Sequence, residues 1–345
     1  MKTKSFISIL LLSCFISEAQ EAPDDQSISG IYYLAKITAK IVDEQGQSIE
    51  DANVNLRFTH HERYRDGYND FHGQTDSDGK FSGESEVTGP ILIIAEKQGY
   101  YRSELSYQPT DWSKPLENSQ KLEPWNPTIP VMLKRIKNPI PMIVRSIGST
   151  TTIRHAPKMK EKIGFDIIKY DWVRPHGVGE HADFDITFKS EFMDPSSYRV
   201  TVGIYLNNPD DGLIPITKII GEESELKYPR VAPQNGYSLQ SINLIQSAGD
   251  YLIEKPEGAD GYFFRIRTEK DPVNKKIISA QYGMITTRDS AGRKHAPFWV
   301  VASMYKNENL DEMPGIAFAY RINPTRNDRN LEYDQQTNLA PSLSE

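Results

Sequence analysis

The chain has 345 residues, of which 38% are hydrophobic and 25% charged, with 22 Gly, 22 Pro, 18 Tyr and a formal charge of −7. An acidic chain without a block of Lys and Arg lacks what nucleic acid or an anionic membrane surface recognises, so neither is expected as a partner. So much Gly, Pro and Tyr, with no long stretch at the helical period, points to turns and strands.

Lys2 and Lys4 precede an apolar run from Phe6 to Ile16, and small residues stand at Ser17 and Ala19, where signal peptidase reads. This pattern predicts a secretory signal peptide over 1–19, a linker over 20–33 and a periplasmic or extracellular protein. The run is too short to span a bilayer, and no later stretch reaches about 18 uninterrupted apolar residues, so no transmembrane helix is expected. The single cysteine, Cys14, follows Leu11-Leu12-Ser13, similar to a bacterial lipobox, and a lipid anchor there is the alternative to cleavage after Ala19. Against it, Leu12 is large for the motif and Phe15-Ile16 is apolar where polar residues are usual. Cleavage after Ala19 leaves a mature chain without cysteine, and hence without disulfide or thiolate site.

From Tyr33 the chain alternates: Ile37, Ala39 and Ile41 face one way, Lys36, Thr38 and Lys40 the other, the period-2 signature of a half-buried strand. Asp43 to Gln47 is a turn in which Gly46 is free to take positive φ. A second alternating run follows at Ala52, Val54, Leu56 and Phe58, and Thr75 to Phe81 reads as a hairpin turn entering a strand. Ile91 to Ala95 is an apolar strand ending at Gln98-Gly99-Tyr100, and Ile129 to Leu133 closes the unit. Short strands separated by turn signals suggest a sandwich.

The succession Ile41-Val42-Asp43…Gly46…Ile49…Ala52-Asn53-Val54, Thr75-Asp76…Asp78-Gly79-Lys80-Phe81 and Ala95…Gly99-Tyr100 resembles the carboxypeptidase regulatory-like domain family over about residues 34–135. The resemblance implies a seven-stranded, prealbumin-like Greek-key sandwich and says nearly nothing about function. The zinc site of carboxypeptidases lies on a separate domain and needs His-x-x-Glu with a distant His, whereas His60-His61-Glu62-Arg63 has the wrong spacing. Peptidase activity is therefore not expected.

Where the family has a short connection, this chain carries a polar stretch over 59–72 with three of its seven histidines, and we expect it to form a loop. Its binding candidates are His60, His61, Tyr64, Tyr68, Phe71 and His72: the tyrosines could stack on a sugar ring, or the histidines hold a metal. The plainer reading is a hairpin extension with its aromatics against the sheet. Asp76-Ser77-Asp78-Gly79 hints at a calcium loop, but Val87 stands where a bidentate Glu is required.

Residues 136–142, with Pro139 and Pro141, read as a linker, preceded by Trp112 and Trp125 in a polar stretch. Residues 143–345 form a second unit, with alternation at 183–188, 198–204, 262–267 and 276–286 and apolar runs at 298–302 and 316–320. The linker and the tail from Ile322 to Leu331 resemble those of uncharacterised exported bacterial proteins. The expected fold class is thus all-β, the prealbumin-like sandwich followed by a larger antiparallel β-sandwich or open barrel.

Gly177-Val178-Gly179-Glu180-His181-Ala182 fits a dinucleotide glycine pattern by letter but precedes a strand rather than a helix, so it is rejected. His176, His181, Asp183 and Asp185 are weighed as metal ligands, with the last three sharing one strand face, and Glu180, Asp183 and Asp185 as hydrolytic acids. A solvated sheet edge needs the same residues, so neither a catalytic residue nor a metal is assigned, and no cofactor is expected. The sequence therefore favours an exported, non-enzymatic accessory or binding protein whose sandwich loops hold a carbohydrate or an envelope or secreted protein. The alternative is a cell-envelope glycan or peptide hydrolase with its site in the C-terminal unit.

Overall fold

The structure, a computed structural model, describes residues 33–62, 65–110, 121–146, 152–194, 197–221, 223–247, 259–286, 298–301 and 314–342. The expected signal peptide, Cys14 and Trp112 lie outside the described residues. Every regular element described is a strand.

The first unit comprises β1 (Tyr33–Val42), β2 (Asn53–Glu62), β3 (Arg65–Gln74), β4 (Lys80–Val87), β5 (Ile91–Glu96), β6 (Ser103–Tyr107) and β7 (Thr128–Met132). They form two sheets, ordered β4-β1-β7 and β3-β2-β5-β6. The alternation read from the sequence is what fills the space between them: Ile37, Ala39 and Ile41 of β1 meet Val54, Leu56 and Phe58 of β2 and Ile91, Ile93 and Ala95 of β5 in one buried cluster. Each large side chain so buried contributes about 1.5–3 kcal/mol. Gly46 has φ +78°, as the Asp43 turn requires, and Gly79 has φ +74° with no room for a Cβ beside Ile41 O. The Thr75 to Lys80 turn forms, but it joins β3 to β4, which lie in different sheets. It is a corner of the sandwich and not the hairpin expected.

The stretch expected as a linker over 136–142 is in part a strand. Ile140–Met142 open β8 (Ile140–Arg145), and Pro141 is tolerated because the antiparallel pairing starts only at Ile143 and the parallel pairing on the other side engages Ile140 and Met142, not Pro141. The second unit therefore begins at residue 140. Its smaller sheet, β11-β10-β12-β13-β15, contains β10 (Ile163–Asp166), β11 (Asp171–Trp172), β12 (Phe184–Asp194), β13 (Ser197–Leu206) and β15 (Ser241–Ser247). Its larger sheet runs from β14 (Gly212–Pro215) through β16 (Gly261–Lys270), β17 (Ile277–Thr286), β19 (Gly315–Ile322) and β8 to β20 (Tyr333–Asn338). Two further strands, β9 (Arg154–His155) and β18 (Phe298–Val301), pair with β19. The sheets are open and stacked, a sandwich rather than a barrel, and antiparallel except where β20 runs parallel to β8.

Between the sheets lies an aromatic core of Phe165, Tyr170, Trp172, Phe184, Phe188, Phe264, Phe298, Phe318 and Tyr320. Phe318 is its hub, 5.7 Å from Phe165, 5.4 Å from Tyr170, 5.6 Å from Phe298 and 5.7 Å from Tyr320. Buried polar tips find partners: Trp172 Nε1 donates to His155 O at 2.9 Å, and Tyr320 Oη donates to Ile167 O. The outer face of the larger sheet is covered too. Phe263, Tyr282, Met284 and Met142 pack under Ile216, Tyr228, Ala232 and Tyr237, which lie on the irregular segment 216–237.

That same segment docks the two sandwiches. Glu104 N donates to Glu223 O and Glu225 N to Arg102 O, both at 2.9 Å, so the segment runs along β6 as a rudimentary strand. Lys134, only 6% exposed, donates its Nζ to Leu226 O at 2.7 Å and to Lys227 O at 3.2 Å. Burial pushes this ammonium down to about 8. Arg230 pairs with both oxygens of Glu44, in the β1–β2 turn, and lies 3.6 Å from Glu332. Burial favours protonation of Glu44, but Arg230 outweighs it and holds the carboxyl below its ordinary value. Glu332, 1% exposed, accepts from Tyr101 Oη at 3.0 Å and from Lys137 N and Asn138 N at 2.9 Å each. Buried charges are tolerated when each is paired and hydrogen-bonded, as Glu332 is.

Candidate functional site

The stretch read as a loop at 59–72 is a continuation of the sheet. β2 and β3 pair in register from Asn53↔Gln74 to Glu62↔Arg65. Because successive side chains of a strand point to opposite faces, the binding candidates separate. Phe58 and Leu56 face the core, so their partners Asn69 and Phe71 face inward as well: Phe71 meets the Phe58 ring edge-on at 5.5 Å, and Asn69 Nδ2 reaches Ser85 Oγ of β4 at 3.0 Å. His60 lies across Gly67, where a Cβ would collide with its ring. Phe71, 36% exposed, is thus the rim of the core rather than a stacking surface. Tyr68 and His72 face outward. Tyr64 and the His61 side chain lie outside the described residues.

On that outer face the side chains form an ordered ladder. Arg57 makes a bidentate pair with Asp70, Nε–Oδ1 2.8 Å and Nη2–Oδ2 3.1 Å, and its guanidinium lies 5.1 Å from the centre of the Tyr68 ring. Asp70 is held below its ordinary value chiefly by this hydrogen-bonded Arg57. The ladder keeps Tyr68 half in solvent, 51% exposed, without burying its ring. Farther along, Gln74 Nε2 donates to Asn53 Oδ1 at 3.3 Å, and Arg102 bridges Glu96 at 3.0 Å and Glu104 at 2.7 Å. Asn53, Asn55, His72, Gln74, Glu96 and Arg102 line an open groove of about 560 Å³, floored by Ile94. Two guanidinium groups, Arg57 and Arg102, face three carboxylates, Asp70, Glu96 and Glu104, a formal sum of −1 without His72. Amides and an imidazole in a near-neutral groove, with the exposed Tyr68 ring farther along the same sheet face, suit a hydroxyl-rich, uncharged ligand.

The acidic candidates of the second unit have a different occupation. Asp183 does not share a strand face with His181 and Asp185; it precedes β12 and is 4% exposed. Arg267 holds it through Nε–Oδ1 and Nη2–Oδ2 contacts of 2.8 Å each, and donates to Asp166 Oδ1 at 3.1 Å. Arg267 reaches both because β16 bulges there: its φ is +53°, and Asp211 secures the bulge by accepting Arg267 N at 3.0 Å and Thr268 N at 2.8 Å. Asp166 Oδ2 accepts the N–H groups of Glu180 and His181 at 3.0 and 3.1 Å, so the glycine-patterned loop is tied to a carboxylate instead of a pyrophosphate. Burial would raise Asp166, but the Glu180, Lys169 and His181 amides with Arg267 hold it below its ordinary value. For Asp183 burial prevails over Arg267 and raises it. The strand face expected to carry His181, Asp183 and Asp185 is therefore replaced by a buried Asp–Arg–Asp clamp, whose partners lie too far apart in sequence to be read from spacing. Among the described residues no group of three or more His, Cys, Asp or Glu is placed to hold a metal ion.

No protein-family model matches the chain, and neither does any curated protein. Among solved structures it is similar to a 3-chlorocatechol 1,2-dioxygenase from Rhodococcus opacus 1CP, at 13% identity and TM-score 0.23, over 30% of this chain and 61% of that one. The chain thus spans less than two thirds of the dioxygenase's length. A streptococcal ancillary pilin matches at 12% identity and TM-score 0.19 over 68% of this chain and 52% of that one. The major pilin subunit of Bacillus cereus matches at 10% identity and TM-score 0.20 over 84% and 96%. Likenesses this weak assign neither an activity nor a partner.

Proposed function

We propose that the chain is an exported, non-catalytic binding protein that holds an uncharged glycan on the outer face of β3-β2-β5-β6. One observation carries the reading: the Arg57–Asp70 ladder keeps the Tyr68 ring solvent-exposed at the end of a face lined with Asn53, Asn55, His72 and Gln74. A half-exposed ring steadied beside a paired cation gives a ligand a fixed surface to meet. Sugars take such a ring on their C–H face and give their hydroxyls to amides and imidazole. Export rests on the amino-terminal pattern, and the hydrolase alternative loses its central acid because Asp183 is spent on Arg267.

A neutral-glycan array followed by titration calorimetry tests this reading. Tyr68→Ala and His72→Ala should each lower affinity for the best array ligand by about tenfold, the 1–2 kcal/mol of one stacking or charge-assisted contact. An array profile unchanged by both substitutions would remove this face as the binding site.

A further inference from the structure

A second cavity, of about 310 Å³, opens on the covered face of the larger sheet in the C-terminal unit. Its floor includes Arg321, whose register neighbours are Val144 on β8 and Met284 on β17. Tyr228, Lys227 and Glu225 of the docking segment form one wall; Tyr333, Gln335 and Asn338 of β20 form the other. Its size is at the lower end of ligand pockets, about 300–1,000 Å³, enough for one sugar ring and not a chain.

Arg321 sits in this floor without an acid. Among the described residues its guanidinium makes one hydrogen bond, a long one of 3.5 Å from Nη1 to Leu331 O, and it lies 5.6 Å from the centre of the Tyr228 ring. Among the described residues no carboxylate pairs with it, in contrast to Arg57, Arg102, Arg230 and Arg267. Burial, only partly offset by Tyr228, Tyr101 and Tyr333, holds the guanidinium below its ordinary value. It still carries its charge, since arginine does not deprotonate in proteins. A half-buried cation with an unfilled planar fork of donors is a seat that an anion can complete.

We propose that this cavity binds a small sugar acid, its carboxylate seated on Arg321 and its ring between Tyr228 and Tyr333. Arg145 also borders the cavity, but it follows Val144 on β8, so its side chain points to the other sheet face, where the guanidinium lies over Tyr170. The side-chain charges that remain are Arg321, Lys227 and Glu225, which sum to +1. That balance fits a monoanion, and Glu225 opposes a dianion such as phosphate. The site is independent of the Tyr68 face, which carries the opposite charge and lies on the other sandwich.

Calorimetry and thermal unfolding of the full chain with glucuronate, glucose and inorganic phosphate test the proposal. Glucuronate should bind and raise Tm, whereas glucose and phosphate should do neither. Arg321→Met should lose at least tenfold in glucuronate affinity while the ligand-free protein melts at the same or a higher temperature, because a half-buried charge without an acid has been removed. Arg321→Lys keeps the charge without the fork and should lose several-fold, and Tyr68→Ala should leave glucuronate affinity unchanged. The proposal is overturned if glucuronate fails to bind, if phosphate binds equally well, or if Arg321→Met binds as the wild type does. It is overturned as well if Arg321→Met unfolds or melts lower, since the arginine would then be a structural support.

Discussion

Asp183→Asn separates a structural clamp from a catalytic acid. The substitution keeps the shape of the side chain but removes the charge that Arg267 meets through two 2.8 Å contacts, at a site where Asp183 is 4% exposed. Stripping one partner from a buried ion pair costs about 3–5 kcal/mol, because the other charge is left without compensation. Here Asp166 still holds Arg267 at 3.1 Å, so the lower end, about 3 kcal/mol, is expected. For a unit of about 200 residues each kcal/mol shifts Tm by roughly 2–4 °C, giving a drop of about 6–12 °C by scanning calorimetry. Asp185→Asn, on a half-buried strand position, should move stability by less than about 0.5 kcal/mol. In a double-mutant cycle with Arg267→Met the two clamp substitutions should couple by about 2 kcal/mol. An Asp183→Asn protein that melts unchanged or higher refutes the clamp and returns this carboxylate to the list of reactive groups.

The junction between the sandwiches gives two further expectations. Arg230→Ala removes the partner of Glu44 and uncovers Glu332, so the single calorimetric transition expected of docked sandwiches should split into two; one undivided transition in the variant would place the coupling elsewhere. Lys134 is charged in the folded and unfolded states below about pH 8 and bears its full desolvation cost there; as pH rises from about 8 towards its ordinary 10.5 the folded state releases the proton first. Wild-type stability relative to Lys134→Met should therefore climb by about 3 kcal/mol across that window in urea titrations, and parallel curves would show that the ammonium is not desolvated.

The all-β class was legible because one period governs it: the apolar side chains of β1, β2 and β5 that alternate in sequence are the ones that meet in the core. The 59–72 stretch misled because β3 is an edge strand, where Phe71 is its one large apolar side chain facing inward and the polar remainder resembles a loop. Pro139 and Pro141 likewise read as a linker, although Pro141 lies ahead of the antiparallel ladder and falls at the irregular point of the parallel one. Asp183 and Arg267 lie 84 residues apart, and Arg321 meets the docking segment across nearly a hundred positions, so no local pattern announces either site. Segment 216–237 has no strand period, yet it covers one sheet and docks the other sandwich, work that only its tertiary neighbours define.

Glu332 binds Lys137 N and Asn138 N across 195 and 194 positions and Tyr101 across 231, so the seal between the sandwiches closes from the far side of the chain. A nascent polypeptide halted before that glutamate would carry a finished first sandwich held to the second only through segment 216–237, with the Lys137 and Asn138 amides still without their acceptor.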